Sequence, residues 1–426
     1  MEDLNEIDEI VVTGGRPLHG TVRIQGSKNT ALPVMAAALL SSGTSVLREC
    51  PKITDVFLME KILRELGART WWEGHDLYLD CSHADGTVIP EHFSGKMRSS
   101  VILMGAMLGR NGKAQTGYPG GCVIGKRPVD LHIQVLQKLG ARIVENGSEI
   151  QAACGKLKGA EIIFPKSSVG ATEQGILAAV LAEGKTVLSG CAREPEITWL
   201  CQYLTGMGAK IEILENGSIC IEGVKKLHPG SGTIPPDRIV AGTYLMAAAA
   251  PRGEIILENP PLDEMDAILE VYRKMGGQCH QVGGKLIVNG KNAGFPLELL
   301  ETDVYPGFPT DLQSPAMAVL ATIPGVSRIR EKIFEDRYKL ASWLCYMGAK
   351  IEIRDGIAVI HGGYPLKGCT VEAEELRGGA ALVITALAAE GVTRIRGCSF
   401  IERGYEHICE DLTALGGLLI KDRGTL

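Results

Sequence analysis

A chain of 426 residues with 45% hydrophobic content can bury more than one core, and its length points to two or three domains. Its 44 basic and 50 acidic residues give a net charge of −6 without a long run of either sign, so no basic stripe offers itself to a nucleic-acid backbone. No apolar run approaches the roughly 18 residues of a membrane helix, and the acidic residues 1–10 do not read as a secretory signal. A cytoplasmic protein is expected, with neither nucleic acid nor membrane among its partners.

Along the chain, the first candidate element is a segment at residues 31–40 that is apolar nearly all round and is stopped by Gly43. Similar Ala/Leu/Met-rich segments stop at Gly112, Gly184, Gly253, Gly325 and Gly391, spaced 66 to 72 positions apart. Between them, helix-like segments end in Leu66-Gly67-Ala68, Leu139-Gly140-Ala141, Met207-Gly208-Ala209, Met275-Gly276-Gly277, Met347-Gly348-Ala349 and Leu415-Gly416-Gly417, whose first glycines lie 68 to 73 positions apart. A glycine there suits the left-handed residue that closes a helix. Alternating stretches follow, as at 210–214, turning at Glu215-Asn216-Gly217, and at 350–353, turning at Asp355-Gly356, so each unit reads as a helix leading into a β-hairpin. Because segments 31–40, 176–182 and 381–389 are apolar all round, such helices belong inside and the strands outside. Six units of about 70 residues exceed one core and divide into two sets of three, with a cleft between two similar domains.

Four local features carry possible chemistry. Gln25-Gly26-Ser27-Lys28-Asn29-Thr30 precedes the first buried helix, where a lysine and backbone N–H groups suit an anion, although no Walker pattern is present. The loop from Tyr118 to His132 displays Cys122 after Gly120-Gly121 and ahead of Lys126 and Arg127, a setting that lowers a thiol pKa. A lone cysteine is also compatible with a structural role, and His132 with a hydrogen bond that holds the loop. In Phe308-Pro309-Thr310-Asp311 the aspartate precedes an apolar helix, and the plainer reading is a helix N-cap. Arginines Arg98, Arg127, Arg238, Arg337 and Arg377 stand at unit junctions; three of them converging would clamp phosphate and carboxylate groups. Twelve cysteines without a C-x-x-C pair read as free thiols, most of them small core hydrophobes, and nine histidines show no metal-ligand spacing, so neither metal nor cofactor is expected.

Gly26-Ser27-Lys28-Asn29, the run from Pro119 to Gly125, the run from Arg127 to His132, Arg193-Glu194-Pro195-Glu196-Ile197, Phe308-Pro309-Thr310-Asp311 and Arg403-Gly404-Tyr405 together resemble the UDP-N-acetylglucosamine enolpyruvyl transferases over nearly the whole chain. That resemblance implies an α/β fold of two inside-out α/β barrel (α/β prism) domains, each of three repeated units with buried helices surrounded by sheets. The domains are then expected at 28–236 and at 1–27 with 237–426, with hinges near residues 26–28 and 235–238. It implies that Cys122 protonates the methylene carbon of phosphoenolpyruvate from a mobile loop and that Asp311 is the base on the sugar 3-hydroxyl. Lys28, Arg127 and Arg377, with Asn29 beside Lys28, match positions that hold phosphoenolpyruvate. Arg98, Arg127, Pro128, Val129, Asp130, Leu131, Lys166, Ser167, Ser168, Val169, Asp311 and Ile333 match the nucleotide-sugar site, and Arg337 joins them as a junction arginine on the Asp311 side. Ser27 and Ser167 depart from the family's usual residues. The implied role is the first committed step of peptidoglycan synthesis, hence cell-wall biogenesis, cell shape, cell cycle and division, with fosfomycin alkylating Cys122. The rivals are a shikimate 3-phosphate enolpyruvyl transferase, against which the cysteine loop argues, and an idle repeat-scaffold paralogue. Oligomeric state is not legible.

Overall fold

The apolar all-round helices and the periodic glycines find their places in a computed structural model that describes residues 7–120, 125 and 128–424. Cys122, Lys126 and Arg127 lie outside the described residues. Apolar side chains gather in two separate cores, one drawn from Ala31 to Ile234 and the other from Ile10 to Ile24 with Ile239 to Leu419. The chain accordingly divides into a first unit, residues 26–120 and 128–235, and a second unit, residues 7–25 and 236–424.

Each unit repeats one pattern three times. In the first unit the buried helices are Lys28–Ala38, Leu103–Asn111 and Val169–Ala179; in the second they are Arg238–Ala249, Gln313–Thr322 and Leu376–Ala388. Every residue of Arg238–Ala249 is buried, and small residues allow such helices to approach closely: a β-carbon on Gly105 would lie 2.5 Å from the Gln174 carbonyl oxygen of the neighbouring helix. A second, outer helix follows in each repeat, as at Thr54–Glu65, Asp130–Lys138 and Pro195–Gly206.

These outer helices all end in the same way. The N–H of Ala68, Ala141, Ala209, Gly277, Ala349 and Gly417 donates to the carbonyl five residues earlier, while the preceding glycine adopts positive φ, from 85° at Gly416 to 110° at Gly348. The other glycine series is left-handed at five positions, but at the fourth it is Arg252 that takes φ 62°. Gly253 is required for a different reason, since a β-carbon there would lie 2.5 Å from the Leu18 carbonyl oxygen.

Among the described residues there are six four-stranded sheets, three per unit. In each, a short edge strand runs parallel to the strand after the buried helix, and two antiparallel strands complete the sheet, as in Glu161–Ile163, Lys185–Ser189, Ile219–Glu222 and Lys210–Ile213. The fold is therefore inside-out, with helices in the core of each unit and sheets around them. The sixth repeat departs from the local hairpin expected of it. Its last strand, Leu418–Gly424, pairs with the amino-terminal strand Ile7–Thr13, which also pairs with Val392–Arg396. His19–Arg23 then supplies the parallel edge beside Glu254–Glu258. Among the described residues, no helix is long and apolar enough to cross a membrane.

Candidate functional site

In the second unit, Asp311 lies in the single 3₁₀ turn Thr310–Leu312 that feeds the buried helix Gln313–Thr322. Its carboxylate is not a helix cap, which corrects the plainer reading of the sequence. Oδ1 instead accepts from Arg337 Nη2 at 3.0 Å, and Oδ2 accepts from Arg377 Nε at 3.2 Å and Nη2 at 2.9 Å. The side chains of Arg337 and Arg377 are only 2% and 3% exposed, whereas that of Asp311 is 28% exposed. One carboxylate is thus shared by two buried guanidinium groups, an arrangement suited to meeting a further anion. Arg337 also has a buried Nε without a partner among the described residues.

Each partner is placed by its own local structure. Arg377 is the second residue of the buried helix Leu376–Ala388, whose first N–H groups are capped by Glu375; the carboxylate accepts from Arg377 N at 2.7 Å and from Gly378 N. Burial works against the charge of Arg377, but Asp311, with Tyr405 and Asp237, more than offsets it and holds the guanidinium above its ordinary pKa. Glu331 ties the turn of Asp311 to the stretch before Arg337, accepting from Thr310 Oγ1 at 3.0 Å, Ile333 N at 2.8 Å and Phe334 N at 3.1 Å. Ile333 is half-buried beside this junction. Arg238 is buried, with its guanidinium 5.7 Å from the Tyr305 ring centre.

In the first unit, Ser27 caps the helix Lys28–Ala38 by accepting from Thr30 N at 3.3 Å, a use for the departure noted in the sequence. Lys28, the first helical residue, pairs with Asp55 at 2.8 Å, and both are largely buried, which steers the ammonium to one place. Asn29 follows, half-buried, at the second helical position. Arg98 Nη2 donates to the Pro128 carbonyl at 2.9 Å, joining the arginine to the stretch Pro128, Val129, Asp130 and Leu131. Asp130 opens the outer helix Asp130–Lys138, and Leu131 shares a 280 Å³ surface cavity with Phe164 and Pro165, which immediately precede Lys166. Lys166 is exposed and Ser167 half-buried, while Ser168 caps the helix Val169–Ala179. His132 Nδ1 pairs with Gln174 in that buried helix, so it fastens the outer helix to the core.

The same buried helix carries Glu173, whose carboxyl is pushed well above the usual range by burial, with Glu196 and Glu194 adding to the effect. An unfolded glutamate ionises near about pH 4.3. Stability conferred by the buried neutral form is therefore lost as pH rises from that point through the folded pKa. Glu173→Gln is expected to match the parent protein in denaturation midpoint near about pH 4 and to exceed it increasingly toward about pH 8. A difference that stays constant with pH would contradict this assignment.

The structure thus gathers Asp311, Arg337, Arg377 and the Ile333 stretch in one unit. It gathers Arg98 with residues 128–131, and Lys28 with Asn29, in the other; Cys122 and Arg127 stay outside the described residues. Asp55 beside Lys28, Glu331 beside the Asp311 turn and Tyr405 beside Arg377 were not among the candidates that sequence reasoning singled out. Only Tyr405 had a signal, as the end of Arg403-Gly404-Tyr405. Among the described residues no cluster of three or more His, Cys, Asp or Glu is placed to hold a metal ion.

A family model described as EPSP synthase (3-phosphoshikimate 1-carboxyvinyltransferase) matches residues 12–412. UDP-N-acetylglucosamine 1-carboxyvinyltransferase 2 of Caldanaerobacter subterraneus subsp. tengcongensis is 41% identical over 410 residues, covering 96% of this chain and 98% of that protein. UDP-N-acetylglucosamine 1-carboxyvinyltransferase of Paramagnetospirillum magneticum is 40% identical over 420 residues, covering 96% and 97%. Among solved structures, the enolpyruvyl transferase NikO from Streptomyces tendae matches with a TM-score of 0.88 over 98% of this chain and 99% of that one; at 24% identity this speaks for the fold alone. The chain belongs to the EPSP synthase family of enolpyruvyl transferases, among the UDP-N-acetylglucosamine 1-carboxyvinyltransferases.

Proposed function

We propose that this transferase moves the enolpyruvyl group of phosphoenolpyruvate to the 3-hydroxyl of UDP-N-acetylglucosamine, releasing phosphate, as the first committed step of peptidoglycan synthesis in the cytoplasm. The observation that carries the reading is identity of 40–41% with proteins of that name across nearly the full length of both chains. The convergence of Arg337 and Arg377 on Asp311 supports it, since the donor substrate brings a phosphate and a carboxylate.

In the proposed reaction, Asp311 accepts the proton of the sugar 3-hydroxyl as its oxygen bonds to C2 of phosphoenolpyruvate, and Cys122 gives a proton to the methylene carbon. The tetrahedral adduct then loses a proton from the new methyl group while the C2–O bond to phosphate breaks, restoring the enol ether. Lys28, Arg127 and Arg377, with Asn29, hold the donor's anionic groups. Arg98, Pro128, Val129, Asp130, Leu131, Lys166, Ser167, Ser168, Val169 and Ile333 hold the nucleotide sugar, and Arg337 orients Asp311.

Phosphate release from phosphoenolpyruvate is expected with UDP-N-acetylglucosamine and not with shikimate 3-phosphate; the reverse result would install the rival, and release with neither an idle paralogue. In the same preparation, fosfomycin should add one covalent mass to Cys122 in the presence of nucleotide sugar. Cys122→Asp should remain unmodified.

A further inference from the structure

The proposed reaction asks one side chain, Arg377, to hold an anionic substrate while it is bonded to the base Asp311. How the guanidinium is oriented therefore matters to both tasks. Arg377 Nη1 donates to the Tyr405 hydroxyl oxygen at 3.1 Å, and the Tyr405 ring lies 5.5 Å from the guanidinium carbon. The Tyr405 oxygen is in turn 2.8 Å from Thr243 Oγ1, and Thr243 Oγ1 donates to the Ile239 carbonyl, also at 2.8 Å.

The direction of this chain can be worked out proton by proton. Thr243 has one hydroxyl hydrogen, and it is committed to Ile239 O, so Thr243 must accept from Tyr405. Tyr405 has one hydrogen, now given to Thr243, so its oxygen can only accept from Arg377. The run from Arg377 through Tyr405 and Thr243 to a helix carbonyl is therefore polarised in one direction, each bond strengthening the next. Tyr405 is 1% exposed and Thr243 is 1% exposed, so water does not compete for these positions. Of the five N–H donors on Arg377, two are on Asp311 and one is on Tyr405. Two, one on each Nη, are left without a described partner.

We propose that Tyr405 is a positioning residue for the transfer reaction. Its hydroxyl, oriented by Thr243, fixes the rotation of Arg377 so that one edge stays on Asp311 and the remaining N–H donors are left for the anionic donor substrate. The proposal rests on the functional reading above.

The full-length enzyme carrying Tyr405→Phe keeps the buried ring and loses only the hydroxyl. Its KM for phosphoenolpyruvate is expected to rise about tenfold and kcat to fall about tenfold, the loss of one charge-assisted hydrogen bond. The KM for the nucleotide sugar should stay within about twofold, and the thermal midpoint should move little. Thr243→Val should shift the phosphoenolpyruvate KM in the same direction and Thr243→Ser much less, and these variants serve equally if Tyr405→Phe does not fold. A lowered midpoint with an unchanged phosphoenolpyruvate KM in an active parent enzyme overturns the positioning role alone. A parent enzyme that releases no phosphate with the nucleotide sugar overturns the functional reading and this proposal with it.

Discussion

Asp311→Asn is expected to lower the rate of phosphate release by about a thousandfold, within the range lost when a positioned base is removed. Asp311→Ala should be no faster and should also be markedly less stable. The physical reason lies in its partners: Arg337 and Arg377 are 2% and 3% exposed and share this one carboxylate. Removing it strands two buried cations, at a cost of roughly 2 to 4 kcal/mol once the partial exposure of Asp311 is taken into account. Asparagine retains one oxygen acceptor, so its stability should fall between the alanine variant and the parent. Chemical denaturation of the three proteins checks the order. An alanine variant as stable as the parent would mean that the ion-pair triad contributes nothing to the fold, and a turnover loss below about tenfold would remove Asp311 from the chemistry.

The second large effect is expected at Gly26→Ala. A β-carbon there would sit 2.1 Å from the Glu49 carbonyl oxygen and 3.0 Å from Pro51 Cδ. The first obstacle is backbone, so no side-chain rotation relieves it. The chain must shift just where Ser27 N donates to the Pro235 carbonyl at 2.7 Å and where Lys28 begins the buried helix. A loss of about 2 kcal/mol or more is expected, together with a rise of at least about tenfold in the KM for phosphoenolpyruvate as Lys28 is displaced. Gly155→Ala, whose added β-carbon meets nothing within 4 Å, should change stability by less than about 0.5 kcal/mol. Equal stability and equal KM in the two variants would show that the approach at Gly26 is relaxed without cost.

Some of this was legible before any coordinates. The six turns of the Leu66-Gly67-Ala68 type declare themselves because closing a helix through a left-handed residue depends on a few adjacent residues and hardly on what surrounds them. The helices near 31–40 and 381–389 declare themselves as interior because no face of them is polar. The sixth hairpin did not, since its second strand comes from the other end of the chain, with Val11 paired to Ile420. Local turn chemistry carries no record of a partner so distant.

The candidate site divides along the same line. Residue types and spacing made Lys28, Asp311 and Arg377 candidates, but whether Asp311 caps a helix or meets two arginines depends on partners 26 and 66 positions away. Tyr405 reaches Thr243 across 162 positions, and Lys28 reaches Asp55 on the next helix. By itself the sequence determined the repeat and the inside-out burial and named the candidate reactive groups, because each is a matter of local backbone preference or side-chain chemistry. Only the tertiary structure decided which charges share a partner and why Gly26 must be glycine, because both depend on groups brought together from separate stretches of the chain.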